Sequence, residues 1–224
     1  MPALPKFEAL LIDMDGVVID SEPIHDAAQR IVYREFNLDV PESAFSAFRG
    51  MREKEIYEQI VRDFADGHGD VDGMVAAKER TYRELLKDLT LIPGAATFLS
   101  SAARVYRLAL TTSSASIDQQ IAFERFDLAG FFEVVVTAED IEHPKPHPQP
   151  YLATAAKLGV PPSVCLVIED SVNGVRSAVR AGCTVAGMTT SFDRDALTRA
   201  GAHFIVDSYD ELAERLGVRM IAPE

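Results

Sequence analysis

Two aspartates lie two residues apart at Asp13-Met14-Asp15-Gly16, directly after the short apolar run of residues 8–13. Far downstream, Thr112 and Ser113 follow the run 106–111, Lys145 sits among prolines in EHPKPHP (142–148), and Glu169-Asp170-Ser171 follows the run 164–168. Parallel sheets bind ligands at the carboxyl ends of their strands, and these residues fall at or beside such ends. Acids gathered at one point repel one another unless something neutralises them. A hard divalent cation does so, and Mg²⁺ prefers carboxylate oxygens together with water and phosphate. The Lys145 ammonium and the Thr112 hydroxyl then suit phosphoryl oxygens. A carboxylate can itself be phosphorylated, which splits the transfer into two steps. The leaving oxygen needs an acid/base group, and Asp15 is placed to be one. Singly, each residue has a plainer reading: Asp170-Ser171 as a helix cap, Lys145 as a solvated loop residue, Thr112 as a turn hydroxyl. Their combination carries the signal.

The elements that must hold these residues follow from hydropathy. Short apolar runs at 8–13, 106–111, 133–136, 164–168, 184–188 and 203–206 suit buried strands. Helical patterns separate them at 94–104, 117–126, 148–159, 172–181, 193–200 and 208–216. Alternation of this kind predicts a mainly parallel sheet with helices on both faces. The gap between the first two runs holds only helical periodicity: Ile24, Ala27, Ala28, Ile31, Val32 and Phe36, then Ile56, Ile60 and Phe64, then 74–89. The sequence therefore predicts an α/β core of 1–16 and 91–224, with a helical insert over 17–90. Two chain crossings make a natural hinge, from which the insert could open and close over a site.

The 224 residues suffice for a domain and a smaller companion. A net charge of −13 argues against a general nucleic-acid binder. Cys165 and Cys183 read as reduced, buried thiols. His143 and His147 are four apart, but the prolines between and around them forbid a helix that would align them on a metal. His68 reads as a loop residue and His203 as a strand-edge residue. No apolar run is long enough to span a bilayer. The expectations are a cytoplasmic monomer with neither nucleic-acid nor membrane partner.

These motifs resemble the haloacid dehalogenase-like hydrolases, and the resemblance covers essentially the whole chain. Asp-x-Asp-Gly is matched at 13–16, the strand ending in Ser or Thr at Thr112, Lys-Pro-x-Pro at 145–148 and Glu-Asp-Ser-x-x-Gly at 169–174. The resemblance implies a Rossmann-like core with an inserted helical cap domain. It implies Mg²⁺ as cofactor and Asp13 as nucleophile and metal ligand. Asp15 would be the general acid/base and would ligate through its backbone carbonyl, with Asp170 as the third protein ligand and Glu169 close by through water. Thr112, Ser113 and Lys145 would hold the phosphoryl group.

Asp15 favours phosphoryl transfer over dehalogenation, because dehalogenase members lack that second Asp. The expected activity is hydrolysis of a small phosphorylated metabolite, a sugar phosphate, through an aspartyl-phosphate. A β-phosphoglucomutase-like activity is the alternative. His25 stands where the mutase has a cap histidine and Lys78 matches its cap lysine, but Glu53 stands where it has an arginine. A phospho-accepting signalling module is the remote alternative, against which length and the helical insert both weigh. Substrate choice is expected from Glu22, His25, Arg49, Arg52 and Lys78.

Overall fold

The computed structural model describes residues 5–48, 51 and 53–221, the side chains of 43, 46 and 47 excepted. In chain order the elements are β1 (Ala9–Ile12), β2 (Ile19–Asp20), α1 (Glu22–Glu35), α2 (Glu53–Phe64), α3 (Val71–Leu85), β3 (Thr90–Leu91), α4 (Ala95–Ala102), β4 (Arg107–Thr111) and α5 (Ser116–Phe126). There follow β5 (Val134–Val136), α6 (Gln149–Leu158), β6 (Cys165–Glu169), α7 (Val172–Arg180), β7 (Thr184–Met188), α8 (Arg194–Ala200), β8 (Phe204–Val206) and α9 (Tyr209–Leu216). No helix among the described residues is long and apolar enough to cross a membrane.

The chain forms two compact units, one of residues up to Asp20 with those from Thr90 onward, the other Ser21–Leu89. The first is an α/β unit built on a six-stranded sheet of order β5-β4-β1-β6-β7-β8, parallel throughout. β1 reads ALLI and is buried at every position, the continuous apolar run of a strand covered on both faces. Successive side chains point to opposite faces. Ala9 and Leu11 join Val167, Val185, Tyr151, Ala155, Val175 and Leu197 in one core cluster, while Leu10 and Ile12 are buried on the other side. Each such Leu or Ile contributes on the order of 2 kcal/mol by leaving water.

Strand order reverses about β1, which lies between β4 and β6. Ile12 is level with Leu110 on one side and Ile168 on the other. The next residue on each strand is Asp13, Thr111 and Glu169, so register alone brings these three to one level at the switch point where such sheets bind ligands.

The division at Asp20/Ser21 lies four residues beyond the expected end of the first segment. The reason is a two-residue ribbon that hydropathy does not reveal: Ile19 pairs with Leu91 and Asp20 with Thr90, antiparallel. It ties together the two places where the chain leaves and re-enters this unit. The Ser21–Leu89 unit packs α1, α2 and α3, with a 3₁₀ segment at Glu42–Phe48, around Val32, Tyr33, Tyr57, Ile60, Met74 and Ala77. In α1 a Pro in the first turn, Glu22 near the start and Arg34 near the end follow the ordinary preferences of helix termini.

Candidate active site

Asp13 is the first residue past β1, and its N–H donates to the Ile168 carbonyl at 3.1 Å. The chain then turns tightly: the N–H groups of Val18 and Ile19 donate to the Met14 carbonyl, and Gly16 N–H to Ile19. Gly16 adopts φ +70°. A Cβ there would run into an Asp170 carboxylate oxygen, so glycine is required both by conformation and by space. Tyr209 Oη donates to the Val17 carbonyl at 2.8 Å and so anchors the turn.

Lys145 reaches this point from the loop before α6. Its Nζ donates to Asp13 Oδ1 at 2.8 Å, Glu169 Oε1 at 2.7 Å and the Thr111 carbonyl at 3.3 Å. Three donors meet three acceptors, and the side chain is 6% exposed. The loop is pinned by α7, whose Ser177 hydroxyl and Arg180 guanidinium donate to the carbonyls of His147 and Pro146. Within it the His143 and His147 rings lie 4.8 Å apart, brought together by the loop rather than by a helix. His147 Nδ1 accepts the Gln149 N–H.

Glu169 is fully buried. Besides Lys145, its carboxylate accepts Tyr151 Oη and both the N–H and hydroxyl of Ser171, each at 2.9 Å. Ser171 Oγ also accepts the Gly174 N–H as the N-cap of α7. A Cβ on Gly174 would overlap the Glu169 carboxylate. Glu169 is thus a fixed anchor for Lys145.

Asp13, Glu169 and Asp170 offer oxygens that all lie within 4.8 Å of one another. Burial first, and then the charges of Glu169 and Asp15, push the Asp13 carboxyl up to about 7 against the pull of Lys145. Burial and the charges of Glu169 and Asp13 hold Asp170 well above the usual carboxylate range. Burial tends to lower Lys145, but Asp13 and Glu169 outweigh it and hold the ammonium above its ordinary value. One lysine does not balance this acid excess. The oxygen-only donor set fits a hard divalent cation, and Asp13 and Asp170, whose oxygens are less engaged than those of Glu169, would carry it.

The Asp15 carboxylate turns elsewhere. Its Oδ2 accepts the Ser114 hydroxyl at 2.6 Å and, at 3.5 Å, that of Thr112, while its Oδ1 is buried with no hydrogen-bond partner among the described residues. Of the two serines after Thr112, Ser113 is exposed and Ser114 makes the contact. Residue types and spacing also pass over Tyr151, Thr190 and Ser191. The Ser191 hydroxyl bonds Asp170, and the Thr190 hydroxyl bonds the Gly16 carbonyl. Both stand just past β7, so a search of every strand's carboxyl end reaches them.

Of the residues expected to select substrate, Glu22, His25 and Lys78 are in the helical unit and line one cavity together with Asp26 and Glu53. Arg49 and Arg52 lie outside the described residues. Cys165 and Cys183 are free and buried, and burial pushes the first thiol up to about 11 and the second to about 12. His203 Nδ1 accepts the Val185 N–H between β7 and β8.

A sequence profile of haloacid dehalogenase-like hydrolases matches residues 10–188. The phosphorylated carbohydrates phosphatase of Thermotoga maritima is 32% identical over 204 residues, covering 89% of this chain and 94% of its own. The fructose-1-phosphate phosphatase YqaB of Escherichia coli is 30% identical over 179 residues, 79% of this chain and 94% of its own. Among solved structures, a candidate β-phosphoglucomutase from Thermotoga maritima superposes with a TM-score of 0.79 at 28% identity, over 94% of this chain and 98% of the other. With motifs, fold and relatives in agreement, the chain belongs to the haloacid dehalogenase-like hydrolases.

Proposed function

We propose that the chain is a Mg²⁺-dependent phosphoric monoester hydrolase acting on a sugar phosphate through an aspartyl-phosphate on Asp13. The observation that carries this reading is the convergence of Asp13, Glu169 and Asp170 on one buried point beside a single lysine. Mg²⁺, held by Asp13 and Asp170 with the Asp15 carbonyl, would offset the acid excess and polarise the phosphoryl oxygens. Lys145 offsets the charge of the transferring group, and the Thr112 hydroxyl donates a hydrogen bond to it. The Asp13 carboxylate attacks phosphorus, the bond to the sugar oxygen breaks, and Asp15 gives that oxygen its proton. Asp15 then takes a proton from water as the water oxygen attacks phosphorus, which frees Asp13 and releases inorganic phosphate. The two named phosphatase relatives support the sugar-phosphate class.

The test is phosphate release from a panel of phosphorylated metabolites with and without Mg²⁺, joined to acid-quench trapping of labelled enzyme. Label on wild type that hydroxylamine removes, and its absence on Asp13→Asn, is the expected result; a fully active Asp13→Asn overturns the assignment. A phosphosugar mutase would share the intermediate. β-Glucose 1-phosphate separates the two, since the hydrolase accumulates phosphate and the mutase glucose 6-phosphate.

A further inference from the structure

The loop after β4 carries a hydroxyl that the proposed chemistry leaves unused. Ser114 Oγ donates to Asp15 Oδ2 at 2.6 Å. The Ser114 N–H donates to Thr112 Oγ1 at 3.0 Å, and its carbonyl accepts the Ala138 N–H at 3.1 Å. One residue is thereby tied to the segment after β5 and to two side chains of the site. All of these residues belong to the α/β unit. β4 is the neighbour of β1 in the sheet, and Leu110 is level with Ile12, so the loop of Ser114 and the turn of Asp15 leave the sheet side by side.

Little else holds the Asp15 carboxyl. Its Oδ1 is buried with no partner among the described residues. The other contact on Oδ2 is the Thr112 hydroxyl at 3.5 Å, at the long limit of a hydrogen bond. The Ser114 bond, at 2.6 Å, is as short as a hydroxyl makes to a charged oxygen. The last torsion of an aspartate has broad wells, so a carboxyl that lost this donor could turn. The Ser114 N–H also occupies a lone pair of Thr112 Oγ1, which leaves the Thr112 proton to be donated. The hydroxyl and the N–H of Ser114 thus act on different neighbours, and removing the hydroxyl alone leaves the second contact in place.

We infer that Ser114 is a positioning residue for Asp15, its hydroxyl fixing the plane of the carboxyl that gives the leaving oxygen its proton. This rests on the reading of Asp15 as the acid of a phosphatase and adds the group that aims it. A placed acid contributes about 10²- to 10⁴-fold where the leaving oxygen needs a proton, and small misplacements at a reacting group are costly. A leaving group that departs as a stable anion needs no proton, so the aim of Asp15 does not matter to it. The role of Ser114 therefore shows as a dependence on the leaving group. Loss of folding or of phosphate binding would weaken all phosphate esters alike.

The experiment measures kcat/KM of the intact chain, with Mg²⁺, for an alkyl monophosphate that the wild type turns over and for dinitrophenyl phosphate. This constant reports the step in which the leaving group departs, before water enters the reaction. Ser114→Ala lowers it about tenfold to a hundredfold for the alkyl ester and by no more than about twofold for the aryl ester. Ser114→Thr, which keeps the hydroxyl, restores the alkyl ester to within about threefold of wild type. Asp15→Asn shows the same discrimination, and adding Ser114→Ala to it changes the alkyl rate by no more than about twofold, since no acid is left to aim. If Ser114→Ala does not fold, Ser114→Cys, of similar size and a weaker donor, is read in the same way. Equal losses for the two esters, no loss for either, or a further loss in the double variant overturns the inference, while discrimination by Asp15→Asn leaves the phosphatase reading standing. An Asp15→Asn that does not discriminate, or a wild type that releases phosphate from no alkyl ester, overturns both.

Discussion

Each unit buries one lysine in a similar frame. Lys145 lies between Asp13 and Glu169 with its ammonium 5.2 Å from the Tyr151 ring centroid. Lys78 lies between Glu53 and His25 with its ammonium 5.5 Å from that of Tyr82. The frames differ in charge balance. Lys145 answers to Asp13 and Glu169 and also has Asp170 beside it, whereas Lys78 has one bonded carboxylate and a neutral acceptor. The unbalanced cluster drives its own acids toward protonation and so invites a cation and a phosphoryl group. The other sets one lysine against one bonded carboxylate and an imidazole.

Removing the charged groups tests this contrast most directly. Asp13→Asn should lower kcat by at least about 10⁴-fold, and Lys145→Met by about 10³-fold, because in the proposed reaction each removes a group from the transition state itself. Lys78→Met should change turnover of an aryl phosphate by no more than about twofold. Steady-state assays with circular dichroism to confirm folding decide the matter. Equal losses from the two lysines would erase the distinction.

The acid excess also predicts a pH signature. The Asp13 carboxyl stands at about 7 in the folded chain, above its ordinary value. Between roughly pH 4 and pH 7 the folded state therefore keeps a proton that the unfolded chain has released, and stability of the metal-free protein falls as pH rises across that window. Asp170, also raised, adds in the same direction. The loss is on the order of a few kcal/mol. Urea unfolding in EDTA should show it, saturating Mg²⁺ should abolish it by binding the ionised form, and Asp13→Asn should flatten much of it. A metal-free protein that gains stability from pH 4 to 7, with no difference in Asp13→Asn, contradicts the proposed crowding.

A smaller effect comes from Gly174. Glycine to alanine inside a helix ordinarily stabilises by up to about 1 kcal/mol. Here the new methyl would meet the Glu169 carboxylate and displace the anchor of Lys145. Gly174→Ala should therefore lower both the melting temperature and kcat, the latter about tenfold to a hundredfold, since small misplacements at a reacting group are costly.

Much of the core was legible because its signals are local. A continuous apolar run predicts a doubly covered strand, and an acid or hydroxyl at its end is visible in the same few residues. Asp13, Thr112 and Asp170 are read this way, and Lys145 from the prolines on either side of it. Tyr151, Thr190 and Ser191 are not, because hydroxyls are common and their partners lie far away; Ser114 is visible at the same strand end as Thr112, but its partner Asp15, 99 residues away, is not. The β2–β3 ribbon has two residues per strand, too few for any period to register. In the helical unit, periodicity predicts which face of each helix is buried but not which residues meet across helices. Lys78 and Glu53, on different helices and 25 residues apart, are joined only by the fold.

The finest test of the contrast is energetic and needs no substrate. In a balanced pair each charge is tolerated because of the other, so removing one costs more than removing both. Glu53→Gln removes the countercharge of a lysine that is 2% exposed and leaves it neutral acceptors among the described residues, which should cost about 2 kcal/mol. Lys78→Met leaves a carboxylate whose side chain is 32% exposed, which water serves in part, and should cost about 1 kcal/mol. The double variant should cost less than the larger single change, giving a coupling well above the roughly 0.5 kcal/mol expected of independent sites. Chemical denaturation of the four proteins measures it. Additive costs would mean that Glu53 does not hold the charge of Lys78.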